Sequence, residues 1–586
     1  MYSFIVYNIT AVHPREDPMF SILRINTATG AVKKEAFAST EYLLGGRTLS
    51  SRLVSREVPA TCDPLGRHNK LFFCTGVLAG TTVSSSDRLS IGGKSPLTGG
   101  IKESNAGGIV GTRMARQGLR CIALEDAPQD DAGWKIIVIG RDKIEFLDGS
   151  FLAGKGVYDK SDLLAERFGK KAGCITIGPT AEKLLLATGI ACSDPHGVCS
   201  RYAGRGGLGA VMASKKVIAM VILDDGEVEP QFLDQENFKE GSKKVVNLLK
   251  ANPVSSLFTK YGTAAMVDIC QALKVLPTQN FRHGVMEGAE KINAQTMYDT
   301  IKARGGEGKT QHACMHPCAI QCSNVYPDKD GKLLCSPIEY ETMALMGSNL
   351  CLKDLDAIAE MNRIANDAGV DTLDVGAAIG VAMEAGLAEF GDTKAAVRLM
   401  EEVRHLTPLG RILASGCKIA AKVLGVRHAP HVLGQAIPAY EPRGTKGMAM
   451  TYLSSPMGAD HTFGFTLRDE AVPTSKEGKV ELSKKFQVIG SRMDAIGMCN
   501  FVRYSVQNDM TPLLDLIKAH YGAEISEVEF DDIVKETLRI EHQFNTDAGI
   551  SHHDYRFAET FYEEAQPETG EKMDITDEES LLARQW

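Results

Sequence analysis

Four cysteines in two distant segments carry the strongest chemical signal in this chain of 586 residues. Three lie in His312-Ala313-Cys314-Met315-His316-Pro317-Cys318-Ala319-Ile320-Gln321-Cys322, and the fourth, Cys499, follows Asp494-Ala495-Ile496-Gly497-Met498. A tight triplet plus one remote thiolate is a ligand arrangement of a [4Fe–4S] cluster, in which each iron takes one cysteine sulfur. Zinc also accepts four cysteines, but its structural sites favour two paired knuckles, and no second pair accompanies this triplet. A radical-type cluster would use three cysteines at x3 then x2 spacing and leave one iron open, whereas the spacing here is x3 then x3.

Two glycine-dense stretches can cradle an anion, because turns without side chains let several backbone N–H groups converge. The first runs from Asp87-Arg88 through Lys94-Ser95-Pro96-Leu97-Thr98-Gly99-Gly100 to Ser104-Asn105-Ala106-Gly107-Gly108. The second is Ala203-Gly204-Arg205-Gly206-Gly207-Leu208-Gly209. It contains a formal dinucleotide fingerprint at Gly204, Gly206 and Gly209. That fingerprint needs a buried parallel strand before it, whereas Cys192 to Arg201 reads as polar and turn-rich, so the nucleotide reading is rejected.

The elements that must position these residues divide the chain into three parts. Residues 1–230 read as a β-rich domain, with a first strand after Met19, short strands at Cys121–Leu124 and Cys174–Ile177, and a hairpin formed by 134–139 and 143–147. From 231 to 430 the apolar period becomes helical, at Phe238–Lys250, Leu355–Ala368, Leu373–Phe390 and Lys394–Leu406. Gly369 and Gly391 are placed to end two of these helices. Residues 431–586 mix loops with helices at Met510–Tyr521 and Asp531–Phe544, and the acidic tail from Glu563 is expected to be poorly ordered. The fold class is α+β: a β-rich N-terminal domain followed by two mainly helical domains, with a cofactor at their interface.

Composition narrows the partners. A net charge of −9 argues against nucleic acid, whose phosphates call for a basic surface. No apolar run approaches the ~18 residues of a membrane span. The first residues, Met1-Tyr2-Ser3-Phe4, have no basic start of a signal peptide, and Met19 is an alternative first residue. With 14 cysteines and no such signal, free thiols in a reducing cytoplasm are expected.

From Met19 to Phe501 the ordered set of motifs resembles the aldehyde:ferredoxin oxidoreductases. It comprises Gly45-Gly46-Arg47, Asp63-Pro64-Leu65, the two glycine stretches, Glu339-Tyr340-Glu341-Thr342, Val370-Asp371-Thr372, Pro438-Ala439-Tyr440-Glu441-Pro442-Arg443-Gly444 and Gly458-Ala459-Asp460-His461. The resemblance implies tungsten or molybdenum on two pyranopterins beside one [4Fe–4S] cluster held by Cys314, Cys318, Cys322 and Cys499. It implies Mg2+ bridging the pterin phosphates through Asn105 and the Gly206 carbonyl. Arg88 would stand between pterin and cluster, and Ala106, Gly107, Arg205, Gly207, Leu208 and Gly209 would complete the phosphate loops. Asp371 and Asp494 would hydrogen-bond the pterin rings; the plainer reading of Asp371 is a helix N-cap. The triplet has one more residue between Cys314 and Cys318 than the family usually shows. No histidine lies between His316 and His405, so the metal that bridges some dimeric relatives is not carried over, while a homodimer stays open.

Tyr340, Glu341, Tyr440 and His461 match the side chains around the metal. Oxidising an aldehyde requires an oxygen nucleophile, a proton acceptor and departure of two electrons. Glu341 suits the base, and His461 and Tyr440 suit donors to the developing oxygen charge. The expected activity is aldehyde oxidation, with electrons passed through the cluster to ferredoxin or an iron–sulfur or flavin redox subunit. Reduction of an aromatic thioester is the alternative within the family, and a cluster-binding electron-transfer subunit is the alternative outside it.

Overall fold

The computed structural model describes residues 19–129 and 131–586; the readings that concern residues 1–18 lie outside them. The N-terminal part is built on two six-stranded sheets. The first orders β1 (Ser21–Asn26), β2 (Val32–Ala36), β3 (Leu71–Thr75), β4 (Leu89–Lys94), β5 (Ile101–Ala106) and β6 (Leu119–Glu125) as β2-β1-β6-β3-β4-β5. The second orders β7 (Lys135–Ile139), β8 (Ile144–Asp148), β9 (Gly173–Ile177), β10 (Ile190–Ser193), β11 (Cys199–Ala203) and β12 (Val217–Ile222) as β11-β10-β9-β12-β7-β8. β12, Val-Ile-Ala-Met-Val-Ile, is apolar throughout because β9 and β7 flank it and both its faces are covered. The expected hairpin is present as β7–β8, antiparallel from Lys135↔Asp148 to Ile139↔Ile144.

The segment before Gly204 corrects the sequence reading. Cys199–Ala203 is a buried strand, yet it lies antiparallel to β10 at the sheet edge. The helix that follows, Leu208–Ser214, returns the chain to β12, which is not β11's neighbour. Strand, helix and strand are present without the adjacent parallel pair that a dinucleotide site needs, so the rejection stands for a different reason.

The remainder is predominantly helical, which makes the whole α+β. Leu355–Ala368 forms as expected and ends on Gly369 in the left-handed region (φ +76°). The next helix spans Thr372–Glu384 and stops short of Phe390. Gly386 (φ +81°) donates to Met383 O and Leu387 to Ala382 O, a Schellman stop placed before Gly391. Helices Thr511–Tyr521 and Glu527–Asp547 match the expected pair, the second extended at both ends by a Ser526/Glu529 capping box and further turns. The tail from Glu563 is packed, contrary to expectation. Met573, Ile575 and Ala583 are buried, and helix Asp577–Leu582 is capped by Thr576. Among the described residues no helix is long and apolar enough to cross a membrane.

Two halves meet where helix Gly46–Glu57, lying on β3 and β4, packs against helices Lys479–Ile496 and Glu527–Asp547. Gly46 permits this approach: a Cβ there would sit 1.9 Å from the Asp494 carbonyl oxygen.

Candidate active site and cluster centre

The loop Cys314–Cys322 joins strands Lys309–His312 and Ser323–Pro327. A segment the sequence reading passed over, Ser84-Ser85, ties this loop to Cys499. Ser85 N–H donates to Pro317 O (2.8 Å), Ala319 N–H to Ser84 Oγ (2.8 Å), and Cys499 N–H to Ser85 O (2.8 Å). Ser85 Oγ lies 3.6 Å from Cys318 Sγ, which also receives the Gln321 N–H at 3.4 Å. Ser85 holds φ +65°, a left-handed conformation for a residue with a Cβ, which the surrounding bonds must sustain. The only hint in the sequence was its position two residues before Asp87-Arg88. Arg88 Nη2 approaches Cys499 Sγ at 3.8 Å. Burial pushes the Cys314 thiol up to about 12, against the pull of Arg88 and Arg201.

A polar relay leads from Cys499 into the helical half. Arg88 Nη1 donates to Asn105 Oδ1 (3.2 Å), Asn105 Nδ2 to Asp494 Oδ1 (3.4 Å), and Arg47 Nη1 lies 3.4 Å from Asp494 Oδ2. Arg47 is then clamped by Glu541 through Nε (2.9 Å) and Nη2 (2.6 Å). Burial raises the Asp494 carboxyl to about 6 despite Arg47. The second aspartate has its own arginine. Asp371 caps helix Thr372–Glu384 by accepting from Leu373 N–H, and its other oxygen receives Arg205 Nε at 3.2 Å. It is thus both an N-cap and an acceptor facing the cavity.

Arg205 was expected to face a phosphate. Its remaining donors instead reach Ala459 O (2.8 Å) and Ala436 O (2.6 Å), with Asp374 Oδ2 at 3.5 Å. The second glycine loop is dictated first by chain packing. A Cβ on Gly207 (φ +76°) would meet Leu186 O at 2.5 Å, and one on Gly206 would meet the Lys102 stem. Asn105 Oδ1 and Gly206 O, the expected magnesium ligands, each already accept one hydrogen bond, from Arg88 and Ser95.

Glu341 and Tyr340 open a short helix, Tyr340–Leu345, and both fasten to one residue. Ala439 N–H donates to Glu341 Oε2 (2.8 Å), and Tyr340 Oη donates to Ala439 O (2.5 Å). The Tyr340 proton is therefore occupied by the backbone, which makes Tyr340 a positioning residue for the segment carrying Tyr440. Glu341 Oε1 has no hydrogen-bond partner and lies 3.4 Å from His461 Nε2; His461 Nδ1 is also unpartnered. Tyr440 packs against both Tyr340 and His461, with ring centroids 5.4 and 5.7 Å apart. Burial raises both tyrosines well above their ordinary values, so they remain neutral donors.

One cavity of about 410 Å³ collects these parts. Cys314, Cys322, Cys499, Arg88 and Gly107 line it beside Tyr340, Glu341, Tyr440 and His461, with Arg205 and Asp371 on another wall. Cys318, Asn105, Ala106, Gly206, Gly207, Leu208, Gly209 and Asp494 do not line it. Phe258, Phe465, Phe501 and Tyr504 give it an aromatic side. Among the described residues no three His, Cys, Asp or Glu converge on a single ion. N–H and O–H groups directed at Cys318 and Cys499 are the hydrogen bonds that cluster thiolates accept.

A cavity lined by three cysteines and a Glu–His pair lies where the β-rich part meets the helical part, and comparison with known proteins places this arrangement in an oxidoreductase family. The chain belongs to the aldehyde ferredoxin oxidoreductase family: residues 22–224 match the model of its N-terminal domain and 240–585 that of domains 2 and 3. The tungsten-containing aldehyde ferredoxin oxidoreductase of Thermococcus kodakarensis is 29% identical over 96% of this chain and 94% of its own. That of Pyrococcus horikoshii is 30% identical with the same coverage. An aliphatic sulfonate oxidoreductase, WOR-like subunit, of Pyrococcus furiosus is 24% identical over 78% of this chain and 75% of its own. The active site complex BamBC of benzoyl coenzyme A reductase shares the fold, with a TM-score of 0.75 at 17% identity over 94% of this chain and 92% of that one.

Proposed function

We propose that this chain oxidises aldehydes to carboxylic acids, water supplying the oxygen while two protons and two electrons leave. The observation that carries the reading is Glu341. One carboxylate oxygen is anchored by Ala439 N–H, and the other is unpartnered beside His461 and the aromatic side of the cavity. Glu341 Oε1 accepts the proton of the attacking water, and its anchored partner oxygen keeps the carboxylate aimed at the cavity. The His461 ring and the Tyr440 hydroxyl donate to the aldehyde oxygen as charge builds there. Phe258, Phe465, Phe501 and Tyr504 give the hydrocarbon part of the substrate an apolar wall.

Tungsten or molybdenum on two pterins, when bound, supplies the two-electron acceptor. Asp371 and Asp494 would hold the pterin rings, and the second lone pairs of Asn105 Oδ1 and Gly206 O would be available to magnesium at the phosphates. Cys314, Cys318, Cys322 and Cys499 would hold the [4Fe–4S] cluster that passes electrons singly to ferredoxin or another iron–sulfur or flavin carrier in the cytoplasm. Anaerobic purification with metal analysis and aldehyde-dependent viologen reduction tests the reading. Iron with tungsten or molybdenum and dye reduction by an aldehyde are expected; a fully loaded protein that reduces no dye with any aldehyde would overturn it.

A further inference from the structure

We propose that Arg201 is a second cationic donor to the iron–sulfur cluster, placed on the side of the cysteine triplet, and that it raises the cluster's reduction potential. The inference rests on the reading of Cys314, Cys318, Cys322 and Cys499 as cluster ligands. Arg201 lies on the edge strand β11, and the residue is 6% exposed. Nη1 donates to Ser323 Oγ at 2.9 Å, which fixes the guanidinium to the residue after Cys322. Nε and Nη2 are buried and have no partner, and the residue lines the cavity together with Cys314 and Cys322.

Buried guanidinium N–H donors left without hydrogen-bond partners are strongly disfavoured. Asp194 and Glu339 feel the charge of Arg201, but neither accepts a hydrogen bond from its free donors. Asp194 accepts the N–H groups of His196 and Val198 and the Ser200 hydroxyl. Glu339 accepts the Thr263 hydroxyl. The free donors of Arg201 are therefore left with whatever anion occupies the cavity beside Cys322. A [4Fe–4S] cluster on four thiolates is such an anion, and its sulfurs accept N–H hydrogen bonds. Positive charge and N–H donors at those sulfurs favour the reduced, more negative cluster. Arg88 reaches Cys499, whereas Arg201 is anchored beside Cys322, so the two act on different ligands.

The test is an EPR-monitored redox titration of anaerobically purified holoenzyme, wild type against Arg201→Gln, Arg201→Lys and Ser323→Ala, with iron and tungsten measured in each. Arg201→Gln should keep wild-type iron and shift the reduction equilibrium toward the oxidised cluster about tenfold, or ~60 mV for one electron. Arg201→Lys should move it in the same direction by less, because the charge stays and the planar fork is lost. Ser323→Ala, which frees only Nη1, should move it least. An unchanged potential in an iron-replete Arg201→Gln protein overturns the proposal. So does loss of tungsten with an unchanged potential, which would assign the free donors to a pterin or phosphate oxygen. If Arg201→Gln loses its cluster, an unchanged potential in Arg201→Lys decides against the proposal. Wild type without iron would instead overturn the cluster assignment itself.

Discussion

Replacing Glu341 by glutamine isolates the proton acceptor from everything else the side chain does. In the structure one oxygen accepts the Ala439 N–H at 2.8 Å and the other is unpartnered, 3.4 Å from His461 Nε2. A glutamine amide keeps the first bond only by turning its carbonyl oxygen toward Ala439. Its NH2 group must then stand where the free oxygen stood, so the variant keeps the anchor and places a donor in the base's position. General base catalysis contributes about 10²–10⁴-fold, or roughly 3–5 kcal/mol of barrier. Viologen reduction should fall by that factor while tungsten, iron and pterin contents match wild type and the apparent KM for aldehyde changes little. A loaded Glu341→Gln enzyme within about threefold of wild type, far short of the base-catalysis range, would refute the role.

Three further outcomes are expected. Cys499→Ala should abolish or cripple the cluster, whereas Cys174→Ala, in the core of the second sheet, should leave iron near wild type; full iron and an unchanged EPR signal in the Cys499 variant would remove Cys499 from the ligand set. Glu541→Gln leaves the fully buried Arg47 without its bidentate partner and should destabilise the fold by about 3–5 kcal/mol in urea, a loss under 1 kcal/mol showing that Asp494 alone suffices. Asp87 is held at about 7 by burial, so between about pH 4 and 7 the folded chain binds a proton that the unfolded chain releases, and stability falls as pH rises through that window. Asp87→Asn should lack that slope; equal urea midpoints against pH for both proteins would show that Asp87 ionises normally.

The periodic elements and the chemical motifs were legible in the sequence for different reasons. Leu355–Ala368 could be read because its apolar stripe and its terminal glycine agree, and Glu341, Tyr440 and His461, which the fold brings to one cavity, could be picked out because they sit in distinctive motifs. Three things escaped. The strand Cys199–Ala203 is polar because Arg201 and Ser200 are used at the cavity, which hides its period. The tail from Glu563 looks acidic and interrupted, yet Met573, Ile575 and Ala583 find the core. Ser84-Ser85 acts through backbone groups, which a side-chain motif cannot reveal.

The same distinction explains how the site selects charge. Most charged groups around it are already balanced: Arg47 with Glu541 and Asp494, Arg205 with Asp371, and Lys102 with Asp460 at 3.6 Å. Burial raises Asp374 and Glu339, favouring their neutral forms over further negative charge. Among the guanidinium atoms left without hydrogen-bond partners, Nε of Arg88, Nε and Nη2 of Arg201 and Nε of Arg503 belong to residues that line the cavity with Cys314, Cys322 and Cys499. An unpaired buried cation is tolerated only where an anion completes it. Free guanidinium donors of Arg88 and Arg201 thus stand beside the cysteines, while the Glu341–His461 pair keeps an unpartnered carboxylate oxygen in the same cavity. On the proposed reading, electron acceptance and proton acceptance are separated within one cavity by where hydrogen-bonding groups were left unfilled.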